Sequence, residues 1–120
     1  IRAPWFVVAG NHDGKYIKKE NTIDEFDKKR FFERFSGHGP TAEQGYWKKD
    51  IPHSKLTLIG LNTSIDGSSS GLVDKPQLDW LDSVLREVSD DRLVMIIAHH
   101  PLVVFNPSIL DADKKVLEIF

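Results

Sequence analysis

Side chains that could bind a metal ion or move a proton follow two apolar runs of the sequence. The runs are residues 5–8 and 93–98, and the chemically capable residues directly after them are Asn11, His12, Asp13, His99 and His100. Amide oxygens and imidazole nitrogens, in the absence of thiolates, suit hard or borderline divalent metals such as Mn²⁺, Fe²⁺ and Zn²⁺. The residue types therefore indicate a metal-assisted site.

The two apolar runs are typical of buried strands, because they combine β-branched, aliphatic and aromatic residues over a short length. In open α/β sheets, ligands bind outside the carboxyl ends of the strands. If both strands run in the same direction, Asn11, His12 and His99 meet at one edge of the sheet. The pattern therefore predicts a single site built from two distant parts of the chain.

Each residue of this site suits a different task. Asn11 offers a neutral amide oxygen and His99 an imidazole nitrogen as metal ligands, whereas His12 can face a bound phosphate and protonate a leaving oxygen. Asp13 is expected to organise the turn. A catalytic metal usually takes at least three protein ligands, so Asn11 and His99 alone do not complete a site. A structural alternative stays open, because Asn and Asp also favour turns.

Composition excludes several other classes of protein. The chain has 120 residues, of which 40% are hydrophobic and 28% charged, as in ordinary globular domains. No apolar run approaches the roughly 20 residues of a membrane span. The net charge of −2 offers no basic stripe for nucleic acid, and the absence of cysteine excludes disulfides and thiolate sites. The compartment is not fixed, although we favour the cytoplasm.

A first helix is predicted to begin at Thr22, because Thr22 and Glu25 have the spacing of a capping box. The helix is expected to run to about residue 36, and its basic stretch 28–30 is predicted to be a solvated face. Breaker residues then surround His38, which we expect to be exposed in a loop, with a role at the rim of a substrate site as the alternative.

The rest of the chain alternates strand and helix. Predicted are an edge strand at 45–48, a core strand at 56–61, a helix that follows Asp74 as N-cap, and a third helix at 111–120. The connecting segments 66–71 and 102–107 are predicted to be loops, and His53 is predicted to lie on the surface in a turn. The alternation indicates an α/β fold.

Two of these motifs resemble a known family. Residues 4–13, which end in Gly-Asn-His-Asp, are similar to a block of the calcineurin-like metallophosphoesterases, and residues 96–101 are similar to their later histidine block. Residues 71–81 between them resemble a segment of the bacterial cyclic-nucleotide-phosphodiesterase-like (class III) branch. Two separate motifs and the linking helix thus occur in the order that this family has.

The resemblance implies a four-layer α/β/β/α sandwich that holds two divalent metal ions (Mn, Fe or Zn) bridged by a hydroxide, which attacks phosphorus. By family motif, Asn11 and His99 would bind the same metal ion. His12 would be the catalytic histidine that assists departure of the leaving alkoxide. His100, like Asp13, would hold the metal ligands in position without binding the metal itself.

Other blocks of the family are absent from these 120 residues, namely Asp-x-His, Gly-Asp-x-x-Asp and Gly-His-x-His. In the family they carry the bridging aspartate and all ligands of the second metal. The chain also begins almost directly with an apolar run and without methionine. We therefore expect residues 1–120 to be the central part of a single metallophosphoesterase domain, inactive by itself.

The leading functional hypothesis is hydrolysis of a small phosphodiester, such as a cyclic nucleotide or a glycerophosphodiester. Hydrolysis of phosphomonoesters is an alternative. A different class of alternative is a non-catalytic scaffold of the same fold that binds a protein partner, although a scaffold has no need for Asn11, His12 and His99. The sequence determines neither the natural substrate nor the oligomeric state.

Overall fold

The computed structural model describes residues 3–17, 22–64, 70–102 and 119. The elements of these parts are, in chain order, β1 (Lys15–Ile17), β2 (Thr22–Asp24), α1 (Glu25–Arg34), β3 (Trp47–Asp50), β4 (Leu56–Gly60), α2 (Lys75–Glu87) and β5 (Leu93–Ile97). The α/β class predicted from the sequence is confirmed. The four-layer arrangement extends beyond these elements and stays a prediction.

The sheet that positions the site has the strand order β3-β4-β5. β3 pairs antiparallel with β4 and forms the predicted edge strand, two residues later than expected. β4 and β5 are parallel, with Gly60 opposite Ile97, and the Leu61 N–H donates to the Ile97 carbonyl at 2.9 Å. Because parallel strands end at the same edge, the residues after β4 and after β5 are neighbours.

Helix α2 covers one face of this sheet. Asp74 is its N-cap, as predicted, and the carboxylate accepts a hydrogen bond from the Gln77 N–H at 3.0 Å. The hydrophobic core beneath the helix consists of Ile59, Leu61, Val73, Leu81 and Val84. The apolar stripe of the helix therefore packs against the end of β4, close to the residues that follow it.

Strand β5 is buried on one face only. Val94 and Ile96 pack against the core, whereas Leu93 is 66% exposed and Met95 47% exposed. The predicted strand is confirmed, but its burial is limited to one face in the described part of the chain, because successive side chains point to opposite faces and α2 covers only one of them.

The apolar run 5–8 forms neither a helix nor a strand, and it pairs with no described strand. Its Val7 N–H donates to the His38 carbonyl at 2.9 Å, and its Val7 carbonyl accepts from the Trp47 indole at 2.8 Å. The prediction of a buried strand is therefore wrong for the described chain, since a loop and a side chain take the place of a neighbouring strand. A Cβ at Gly60 would overlap the Trp47 ring, so this glycine lets the indole lie close over the sheet.

His38 is half-buried rather than exposed in a loop, which corrects the sequence prediction. Its ring stacks on that of Trp5, with centroids 3.7 Å apart, and its Nδ1 lies 3.3 Å from the Trp5 carbonyl oxygen. Burial of the aromatic faces gives this histidine a packing role that its glycine-rich surroundings did not indicate. His53, by contrast, is exposed in a turn with a φ of 60°, as predicted.

The start of the first helix also differs from the prediction. Thr22 belongs to β2, which pairs antiparallel with β1, and α1 begins only at Glu25. The backbone groups of Thr22 are therefore used in a strand pair, and Thr22 is not an N-cap.

Several predicted elements lie outside the described residues. These are most of the loop 66–71, most of the loop 102–107 and the third helix at 111–120, apart from Ile119. In the parts of the chain that the structure describes, no helix has the length and hydrophobicity that crossing a bilayer requires.

The outer part of the sheet is tied together by a polar network around Asp50. The Thr57 hydroxyl donates to the Asp50 carboxylate at 2.6 Å and accepts from the Arg92 Nε at 2.8 Å. The Lys48 ammonium lies 3.2 Å from the same carboxylate. The hydrogen bond from Thr57, followed by the charges of Lys48 and Arg92, lowers the pKa of Asp50 below its ordinary value of 3.8.

We predict that Asp50→Asn lowers the free energy of unfolding of the full-length protein near neutral pH but not in acid. Because the folded state depresses the pKa of Asp50, the charged carboxylate stabilises the protein above pH 3.8. That stabilisation is lost as the pH falls from 3.8 through the lower pKa of the folded state. Urea unfolding at several pH values measures the difference, with Asp90→Asn as control. A difference that stays constant down to about pH 2.5 would contradict the network's role.

Candidate functional site

The two residues predicted to be metal ligands are in direct contact. The His99 Nε2 lies 2.9 Å from the Asn11 Oδ1, although 88 residues separate them in sequence. β5 ends at Ile97, two residues before His99, while Asn11 directly follows the segment that ends at Gly10. Since the amide oxygen is an acceptor, Nε2 carries the proton in this hydrogen bond, and that proton would leave when Nε2 binds a metal ion.

The turn that carries Asn11 is closed by Asp13. The Asp13 carboxylate accepts a hydrogen bond from the Gly10 N–H at 2.6 Å, and the Asp13 N–H donates to the Gly10 carbonyl at 3.3 Å. A Cβ at Gly10 would lie 3.0 Å from the His99 Nδ1 and 3.3 Å from the Asp13 Oδ2. Glycine is therefore needed where the imidazole and the carboxylate approach the backbone. Asp13 organises the turn, as the sequence predicted.

His12 occupies the same turn and is exposed to solvent. It directly follows Asn11 in the chain, so its backbone lies next to the contact between Asn11 and His99. The structure thus brings Asn11, His12 and His99 to one end of the sheet.

His100 points into the protein rather than toward solvent and is 7% exposed. The Thr63 hydroxyl accepts from the His100 backbone N–H at 3.1 Å and lies 2.9 Å from the ring Nδ1. The Thr63 hydroxyl thus contacts both the backbone and the ring of His100, which fixes the orientation of this imidazole. The rings of His99 and His100 meet edge to face, with centroids 4.8 Å apart.

Thr63 is a residue that sequence reasoning missed. It is fully buried two residues after the predicted core strand, and it fixes the chain that carries His99 and His100. A polar residue directly after a core strand was the available signal. Gly71 lies against the ring of His100, where a side chain would not fit, since a Cβ there would lie 2.7 Å from the His100 Cγ.

Lys28 is also placed differently from its prediction as part of a solvated helix face. It is 4% exposed, and its ammonium donates to the Ser64 carbonyl at 3.1 Å. The Ser64 hydroxyl in turn donates to the Ala9 carbonyl at 3.1 Å. Burial is tolerated because the ammonium has a hydrogen-bond partner, whereas Lys29 and Arg30 are exposed, as predicted. This chain of contacts joins α1, the end of β4 and the turn that holds Asn11.

Gln77 holds the first residue after Leu61 in place. Its side-chain oxygen accepts from the Asn62 N–H at 2.8 Å, and its side-chain amide donates to the Asn62 carbonyl at 2.9 Å. Gln77 is 2% exposed and lies on the same helical stripe as Leu81 and Val84. Its position in an otherwise apolar stripe was a signal in the sequence that we did not use.

The donor atoms of Asn11 and His99 suit one divalent metal ion. Neighbouring ligand atoms at about 2.1 Å from an octahedral ion lie roughly 3 Å apart, and the observed separation is 2.9 Å. Among the described residues, no group of three or more His, Cys, Asp or Glu side chains could hold a metal.

Comparison with known proteins connects the chain to one family and to a curated relative. The family model of the calcineurin-like phosphoesterases matches residues 1–119. The chain is also 30% identical over 102 residues to a protein of Arcobacter nitrofigilis named "Probable glycerophosphodiester phosphodiesterase GpdQ". That alignment covers 85% of this chain and 33% of the relative, so the chain spans about a third of the length of the curated relative it matches.

We predict that Gln77→Met destabilises the full-length protein by about 1–3 kcal/mol, because the N–H and the carbonyl of half-buried Asn62 each lose their partner. Urea unfolding measures the loss. The same substitution at half-buried Gln44, which does not form these two hydrogen bonds, is the control and should change stability by about 0.5 kcal/mol or less. Equal losses in the two variants would contradict a stabilising role of the hydrogen bonds between Gln77 and Asn62.

Proposed function

This chain belongs to the calcineurin-like phosphoesterase family, and on that premise we propose that the full-length protein hydrolyses small phosphodiesters. Members of this family are phosphoric ester hydrolases that use divalent metal ions. The observation that carries the proposal is the contact between Asn11 and His99 at 2.9 Å, beside the exposed His12. A metal ligand pair next to an accessible acid–base group is what metal-assisted hydrolysis requires.

Asn11 and His99 are the residues that would hold one metal ion, and their separation fits that task. When bound, the two divalent ions that the family resemblance implies supply Lewis acidity toward the phosphate and lower the pKa of the attacking water. Mn²⁺, Fe²⁺ and Zn²⁺ all suit the nitrogen and oxygen donors of this pair.

His12 protonates the departing alcohol in the proposed reaction. The oxygen of water forms a bond to phosphorus, one phosphorus–oxygen ester bond breaks, and the departing alkoxide takes a proton from the imidazolium form of His12, which becomes a neutral imidazole. The products are a phosphomonoester and an alcohol, and His12 regains its proton from the attacking water through the solvent. The solvent exposure of His12 supports this role, because the group must reach the substrate.

Asp13 and His100 keep the reacting groups in place. Asp13 closes the turn beneath Asn11 by its hydrogen bond to the Gly10 N–H. His100 anchors the residues after β5 to Thr63, and so fixes the backbone that carries His99. Groups that orient metal ligands affect metal affinity even though they do not touch the ion.

The name of the Arcobacter relative supports a phosphodiester of the glycerophosphodiester type as substrate. Since the relative is about three times as long as the alignment, we assign the activity to the full-length protein. Within it, residues 1–120 would be the central part of one domain with the four-layer α/β/β/α sandwich.

The first test is hydrolysis of bis(p-nitrophenyl) phosphate by the full-length protein loaded with Mn²⁺. We expect turnover that disappears on chelation and returns when Mn²⁺ is added back. Turnover of p-nitrophenyl phosphate but not of the diester would replace the proposal with a monoesterase. Absence of both turnover and bound metal would support the non-catalytic scaffold.

Two histidine variants separate the proposed roles. His12→Ala should lower kcat by about 100-fold or more, because general acid catalysis is lost, while metal content stays nearly unchanged. His99→Ala should lower both metal content and turnover, since it removes a ligand. Elemental analysis and steady-state kinetics measure the two quantities, and His53→Ala, at an exposed turn, is the control. Equal loss of metal in the His12 and His99 variants would refute the assignment.

A further inference from the structure

A cleft of about 420 Å³ lies between helix α1 and the residues that follow β4. The lining side chains that matter here are Lys28, Lys29, Phe32, Glu43, Asn62 and Ser64. Pockets for small molecules usually measure about 300–1,000 Å³, so this cleft has the size of a small-ligand site. It contains none of the residues assigned above to metal binding or proton transfer.

The cleft lies beside the contact between Asn11 and His99. Gly60 pairs with Ile97, so the same register continued by two residues places Asn62 next to His99, and parallel strands are about 4.8 Å apart. The Ser64 hydroxyl reaches the Ala9 carbonyl at 3.1 Å, and Ala9 is two residues from Asn11, a span of at most about 7 Å. A substrate held at Asn11 and His99 can therefore extend one of its ester groups into the cleft.

The lining combines an aromatic wall with polar and charged groups. Phe32 is half-buried, and the Asn62 side chain and Ser64 offer hydrogen-bonding groups. Among the described residues, the charged side chains of the cleft are two lysines, Lys28 and Lys29, and one glutamate, Glu43. Lys28 is held at the Ser64 carbonyl, whereas Lys29 is exposed. Hydroxyl groups can both donate to and accept from such a lining, but a cation would meet the ammonium groups.

We propose that this cleft receives an alcohol group of the phosphodiester and prefers hydroxyl-rich alcohols without positive charge over cationic amino alcohols. This inference rests on the proposed phosphodiesterase function and adds to it the chemical class of one ester group. Lys29 is the specificity-determining residue that can be changed without touching the groups that react. At an exposed position, one unfavourable charge contact corresponds to about a fivefold effect.

The experiment uses three diesters with the same leaving group, namely the p-nitrophenyl phosphodiesters of glycerol, choline and methanol, and the full-length protein loaded with Mn²⁺. For the wild type we expect kcat/KM for the glycerol ester to exceed that for the choline ester by about fivefold. Lys29→Glu should abolish or invert this ratio and leave the methyl ester nearly unaffected. Lys49→Glu, which makes the same charge change at an exposed residue of β3 outside the cleft, should preserve the ratio.

Inhibition by the free alcohols gives a second measurement. Glycerol should inhibit hydrolysis of the methyl ester more strongly than choline does, and Lys29→Glu should reverse that order. If Lys29→Glu leaves the ratio of kcat/KM for the glycerol and choline esters unchanged, or if Lys49→Glu changes it equally, the assignment of the cleft is overturned. Hydrolysis of the methyl ester would still uphold the diesterase in that case. Failure to hydrolyse all three esters would instead overturn the diesterase proposal, and this inference with it.

Discussion

The parallel pairing of β4 and β5 is the constraint on which the candidate site depends. The backbone ladder fixes Gly60 opposite Ile97, so the residues after the two strands must leave the sheet side by side. Thr63 then meets His100, and His99 is placed where the turn from the first apolar run can reach it with Asn11. A register shift of one residue would turn every side chain of β5 to the other face, which would bury His99 and expose its neighbour.

Polar groups hidden behind the site hold it in that arrangement. Gln77 binds both backbone groups of Asn62, Thr63 binds His100, and Lys28 reaches the Ser64 carbonyl. Buried polar groups of this kind are costly to leave unpaired, so each pair favours one geometry strongly over its alternatives. Half-buried Asn11 and the exposed residues His12 and His99 thus rest on a layer of satisfied, buried or partly buried hydrogen bonds, which pre-organises them.

The division between reacting groups and recognition groups follows from the same layout. The groups proposed to react come from the turn at residues 10–13 and from the end of β5, whereas the adjacent cleft is lined by α1 and the end of β4. Ser64 belongs to both regions, because its carbonyl binds Lys28 and its hydroxyl binds Ala9. Differences in the cleft can therefore alter the preferred alcohol group while Asn11 and His99 stay in contact.

The sequence by itself determined the elements whose signals are local. The α/β class, the helix capped by Asp74 and strands β4 and β5 followed from short-range periodicity and capping, and His53 followed from its turn. The motif residues Asn11, His12 and His99 could also be named from their types and their positions after apolar runs. Such features depend on residues a few positions apart, which is why a linear reading finds them.

Only the tertiary structure decided which distant groups meet. Asn11 contacts His99 across 88 positions of the chain, and buried Lys28 binds Ser64 across 36. His38 stacks on Trp5, which lies 33 positions away. Run 5–8 shows the same limit, because its apolar pattern fits a strand, yet Val7 is bound by a loop carbonyl and an indole. Local propensity cannot specify a partner that folding brings from elsewhere, and hydrogen bonds to such partners outweigh it.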